Sequence, residues 1–154
     1  NAFDQPIIAL LLTRDEVSQD LKRGIVQRKE FKEFCVSNAV LLQLNVPTDR
    51  NDRFDATGIR AEDLKKFYAA SSAAGKGGGT GFPCIVCATS AGVPRCRGGK
   101  YDKAMGFGTW ISAFIADMQG AGFKPVTPAS VAKAIAEPAP AVKSTGSKKT
   151  YKKK

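Results

Sequence analysis

Apolar residues run without a break from Pro6 to Leu12, as Pro-Ile-Ile-Ala-Leu-Leu-Leu, and stop at Thr13. So short a run with no polar position inside it predicts a strand buried on both faces of an α/β sheet. The period then changes. Leu21 and Ile25 fall at helical spacing within Ser18 to Val26, and Phe31, Phe34 and Cys35 form one stripe of a helix over Arg28 to Ser37, with lysines and glutamates opposite. Val40 to Val46 is a second apolar strand, closed by Pro47 and followed by a polar surface loop, Thr48 to Gly58.

A helix is expected from Ala61 to Ala73, acidic in its first turn and with Leu64, Phe67 and Tyr68 facing inward, until the glycine-rich run Gly75 to Gly81 breaks it. Phe82 to Ala88 and Val93 to Arg97, separated by Thr89-Ser-Ala-Gly92, predict an antiparallel hairpin. Thr109 is placed to cap an amphipathic helix with Trp110, Ile111, Phe114, Ile115 and Met118 on one face, ending at Gly120. The order is β-α-α-β-α-β-β-α, an α/β arrangement with a central mixed sheet of about four strands flanked by helices. A short helix follows at 128–136. The domain is thus expected over 1–137, with its core in 5–119, and 138–154 as a Pro/Ala linker and lysine-rich tail.

At 154 residues and 43% apolar content the chain has the size and substance for one packed domain. Its net charge of +10 is unevenly placed, because Lys143 to Lys154 holds six lysines and no acid. Such a charge run usually reads as a solvated end; read instead as a docking arm, it makes Lys148, Lys149, Lys152, Lys153 and Lys154 candidates for polyanion binding. Arg95 and Arg97, with Lys100 and Lys103, make a second basic patch beside Tyr101, which also reads as a cation-decorated edge strand that resists sheet pairing. No apolar run approaches the ~20 residues of a membrane span. A first residue Asn1 in place of methionine fits either export or delivery to an organelle after removal of a targeting peptide, or a sequence trimmed at its start.

Histidine is absent. That excludes Ser-His-Asp and Cys-His catalysis, histidine-ligated metal and histidine-ligated haem. Cys84-Ile-Val-Cys87 has the letters of a redox or zinc motif, yet in a strand the two side chains point to opposite faces with Cα atoms about 10 Å apart. A disulfide needs about 7 Å or less, and a zinc knuckle needs a turn. Cys87 and Cys96 flank the hairpin turn and are the better candidates for a structural disulfide; four buried reduced thiols are the equally open alternative. Gly75 to Gly81 leads from a helix into a strand and has Lys76 followed by Gly77, so it lacks the order of a phosphate loop.

Several segments carry a family likeness. Lys29-Glu-Phe-Lys-Glu-Phe34 followed by Asn38 to Val46 resembles the helix and central strand after the active site of secreted thioredoxin-like proteins. Gly81-Phe82-Pro83 resembles the segment carrying that family's cis-proline, with Pro83 in that role, and Gly98-Gly-Lys-Tyr101 resembles the end of its hairpin. The resemblance to the thioredoxin-like fold family covers about residues 5 to 119. It implies a Cys-x-x-Cys pair between the first strand and first helix, where this chain has Asp15, Glu16, Val17 and Ser18. Neither Asp15 nor Ser18 can exchange disulfides, and either can cap the helix.

The expectation is therefore a redox-inactive relative without cofactor or metal: a structural or protein-interaction module of a larger assembly, attached through its basic tail. The alternatives are a thiol-disulfide oxidoreductase using Cys84, Cys87 or Cys96, and an accessory subunit bound to RNA through the lysines.

Overall fold

In the computed structural model the described residues are 5–45 and 83–137. They form a four-stranded sheet of order β2-β1-β3-β4, from β1 (Ile7–Leu12), β2 (Val40–Asn45), β3 (Cys84–Ala88) and β4 (Pro94–Arg97). β1 pairs with β2 in parallel, Leu11 opposite Leu44, and with β3 antiparallel, Leu11 opposite Cys84. β3 and β4 are the antiparallel hairpin, with Cys87 opposite Cys96 and an irregularity between Cys87 and Ala88. The turn between them is closed by Thr89, whose N–H donates to the Val93 carbonyl at 2.9 Å, and by Gly92 at φ +79°, which only glycine adopts freely.

The helices are α1 (Glu16–Leu21), continued by a π-helical turn at Lys22–Val26, α2 (Lys29–Asn38), α3 (Gly106–Gly120) and α4 (Ala129–Ala136). One face of the sheet, carrying Ile8, Leu10, Leu12, Ile85, Cys87 and Cys96, joins a single core with the apolar stripes of all four helices. Its centre is aromatic: Trp110 stacks on Phe114 at 5.1 Å between centroids, and Phe31 and Phe34 meet these two rings edge-on. The other face carries Ala9, Leu11, Leu44, Cys84, Val86 and Ala88, all buried too, which is why β1 needs no polar position.

The predicted helix at 61–73, the glycine-rich run, the Phe82-Pro83 peptide bond and the lysine tail lie outside the described residues. One boundary is corrected. Thr109 does not cap α3, which begins at Gly106 after Met105 and has no side-chain cap. A turn held by Met105 N–H on the Asp102 carbonyl leads in, and Gly106 at φ +73° redirects the chain so that the helix starts a turn earlier.

α3 is tied to its neighbours by close approaches. The Trp110 indole N–H donates to the Gly99 carbonyl at 2.9 Å, fixing the end of β4. A Cβ at Gly108 would lie 2.2 Å from the Ala134 carbonyl oxygen, so only glycine lets α3 and α4 meet here. The approach to α4 is locked by Asn38, whose amide exchanges two hydrogen bonds with the Val126 backbone at 2.7 and 2.6 Å, and by a hydrogen bond from the Ser130 hydroxyl to Glu33.

Candidate functional site

β1 ends at Leu12 and delivers the chain through Thr13 and Arg14 to the start of α1. Pro83, half-buried, lies one step beyond the Leu11–Cys84 pair and so reaches the same end of the sheet. Here Asp15 is the N-cap of α1, its carboxylate accepting the Ser18 backbone N–H at 2.9 Å. That hydrogen bond, with a further one from the Thr13 hydroxyl, holds the Asp15 carboxyl below its ordinary range. Ser18 is fully buried; its hydroxyl accepts the Thr13 backbone N–H at 2.8 Å and meets the Thr13 hydroxyl at 2.6 Å. Glu16 and Val17 between them are exposed.

Every polar group of this cap is thus already engaged in holding the turn. Asp15 is an ionised acceptor, and Ser18 lies beside that carboxylate but is cut off from solvent, its hydroxyl held by Thr13. The pattern Asp15 to Ser18 was visible in the sequence, but Thr13 was not singled out; its role depends on a turn that brings residues 13 and 18 face to face.

The four cysteines are free and buried, and they divide between the two faces of the sheet. Cys84, beside Leu11, lies on one; burial pushes its thiol up to about 12, with the positive charge of Arg97 pulling the other way. Cys87 and Cys96 face each other on the opposite side. The two thiols act closely on each other, and their interaction together with burial pushes Cys87 up while Cys96 is held lower. Cys35 of α2 is near enough to Cys87 to act on it electrostatically, and burial raises it to about 12. Cys84 and Cys87 therefore lie on opposite faces of the sheet. Among the described residues no group of acids and cysteines is arranged to hold a metal ion.

The basic patch at the hairpin does not survive as a unit. Arg95 and Lys100 are exposed and Lys103 pairs with Asp20 at 3.1 Å, but Arg97 is only 8% exposed and bears on Cys84. Strand register puts Arg97 opposite Val86 on the sheet's other face. A hollow of about 330 Å³ opens between α3 and α4, lined by Arg28, Tyr101, Lys103 and Glu137. Arg28 there stacks over Phe107 at 4.9 Å and faces Glu30 at 3.6 Å.

Among the described residues the two outer strands of the sheet, β2 and β4, differ sharply. β4 carries Pro94, Arg95 and Arg97 and borders a strand irregularity, all of which discourage further pairing. β2 has no charged residue and exposes Val40, Leu41 and Leu42 at 52, 42 and 40%. Val36 of α2 and Val126 are exposed as well.

No family model matches the sequence, and no curated protein matches it. Among solved structures the chain is similar to one titled DsbH oxidoreductase, with a TM-score of 0.56 and 20% identity over 75% of this chain and 74% of that one. With the strand order and the β-hairpin, this likeness defines the fold as thioredoxin-like α/β. Among the described residues no helix is long and apolar enough to cross a membrane.

Proposed function

We propose that the chain is a thioredoxin-fold module without thiol-disulfide turnover, which works by binding protein partners within a larger assembly. The observation that carries this reading is the state of the α1 cap: Asp15 as N-cap and Ser18 in the first turn of α1 stand where the fold's redox pair is expected, and both are engaged in hydrogen bonds that hold the turn. Disulfide exchange needs an accessible thiolate. Cys35 and Cys84 are buried with thiols near 12, and Cys87 and Cys96 are buried opposite each other.

The apolar, uncharged edge of β2 supports the binding half of the proposal, because an edge strand offers unpaired backbone groups to an extended partner segment. The six lysines of Lys143 to Lys154 supply an attachment arm for an acidic surface, an acidic protein face or RNA. The test is an insulin-reduction assay on the full chain with dithiothreitol as reductant. The reading expects no acceleration over dithiothreitol alone; multiple turnovers per chain would restore the oxidoreductase alternative.

A further inference from the structure

Three sulfurs from three elements converge on the helical side of the sheet: Cys35 from α2, Cys87 from β3 and Cys96 from β4. Of the pairs they can make, one is set by strand register. The Gly98 N–H donates to the Ile85 carbonyl at 2.8 Å, which makes 85 and 98 a hydrogen-bonded pair of the ladder. Two steps along, Cys87 and Cys96 fall on the next such pair, where opposed Cα atoms stand about 5.5 Å apart. That is within the span a disulfide bridges, about 4.4–6.8 Å. Cys84 points to the other face and cannot join them.

We propose that Cys87 and Cys96 are a two-electron oxidisable couple, closed to a cross-strand cystine by a small disulfide of the glutathione type when the edge strand opens. The Cys96 thiolate attacks one sulfur of the oxidant; the oxidant's S–S bond breaks, and the first glutathione thiolate leaves and takes up the proton that Cys96 released. Cys87, giving up its own proton, then attacks the Cys96 sulfur. The Cys87–Cys96 bond forms and the second glutathione thiolate departs with that proton. Two protein thiols are oxidised and one disulfide is reduced to two thiols.

Cys96 is the entry point because it lies on a four-residue strand that is outermost in the sheet among the described residues, and its interaction with Cys87 lowers its pKa. At 2% exposure it meets the oxidant only through local opening of β4. Sub-denaturing urea therefore speeds closure, and the cystine, once formed, staples β4 to β3.

The test uses the full chain, incubated at neutral pH with excess oxidised glutathione, alkylated and digested with trypsin without reduction. Cleavage after Arg95 and Arg97 frees Cys96 as a dipeptide, so a bridge appears as that dipeptide attached to the peptide holding Cys84 and Cys87, and fragmentation assigns the sulfur. Expected are a Cys87–Cys96 bridge and a Tm raised by on the order of 10 °C. Cys84→Ala leaves both unchanged, and Cys96→Ala abolishes both. A bridge to Cys84 or Cys35, stable glutathione adducts, or unreacted thiols would overturn the proposal, and the wild-type map decides this without any variant. Insulin turnover would remove the functional reading above and leave this one standing, because a single stoichiometric closure and repeated turnover are counted separately.

Discussion

Thr13 and Ser18 bind each other twice: their hydroxyls meet at 2.6 Å, and the Thr13 backbone N–H reaches the same Ser18 oxygen at 2.8 Å. Ser18 is fully buried and Thr13 nearly so. Ser18→Ala leaves the buried Thr13 backbone N–H without its acceptor and the Thr13 hydroxyl without its partner, and the desolvation of an unsatisfied group is the larger part of the cost. Urea unfolding of this variant is expected to show a loss of about 2 kcal/mol. A loss below about 0.5 kcal/mol would mean that the turn relaxes and the pair is incidental.

Asp15 links the same turn to pH. Its folded-state pKa is depressed, chiefly by the Ser18 backbone N–H, so the stability it contributes is present above its unfolded value of 3.8 and is lost as pH falls through the lower folded value. Asp15→Ala is expected to cost about 1 kcal/mol at neutral pH as a lost N-cap. Measured in urea at several pH values, the gap between wild type and variant should narrow below about pH 4. A gap that stayed constant down to pH 2 would separate the cap from the carboxylate's charge.

Gly108 tests how α4 is held. The methyl of Gly108→Ala would press into the Ala134 backbone, a contact no side-chain rotation relieves. A loss of about 3 kcal/mol is expected, the upper end for overpacking. Hydrogen exchange should rise first in Ala129–Ala136, whose other ties are Asn38 to Val126 and Ser130 to Glu33. Protection unchanged in α4 would place the strain elsewhere.

The elements were legible where the pattern is local. β1 is an unbroken apolar run because both its faces are buried, and the hairpin follows from two short strand-like segments around Thr89-Ser-Ala-Gly92. The start of α3 was misread at Thr109 because a glycine at positive φ, with no capping side chain, leaves no signature that separates it from a loop glycine. Asn38 and Val126 are 88 residues apart, and nothing in either neighbourhood announces a two-way amide clamp. The facing of Cys87 and Cys96 was open to reading because the hairpin turn sets the register. The nearness of Cys35 depends on how α2 crosses the sheet, which no spacing encodes. Arg97 looked like a surface cation until strand alternation was counted from Val86.

Truncation after Glu137 tests the arm. The removed residues hold six of the chain's lysines and little apolar surface, so Tm should shift by less than about 2 °C. Retention on an acidic protein surface should weaken, and a salt-dependent loss of RNA retention of the same size would transfer the arm to the RNA alternative. A fall in Tm of many degrees would mean that the segment is part of the fold.

The most direct measurement restores what the α1 cap lacks. In the double variant Asp15→Cys, Ser18→Cys the two thiols would stand at the N-terminus of a helix, one exposed and one buried, where the helix end favours a thiolate. Insulin reduction by this variant is compared with wild type at equal concentration, folding being checked by near-ultraviolet circular dichroism. The account predicts catalytic turnover in the folded double variant and none in wild type. Turnover already present in wild type, or none in a folded double variant whose thiols titrate freely, would contradict the claim that Asp15 and Ser18 occupy the redox position of this fold.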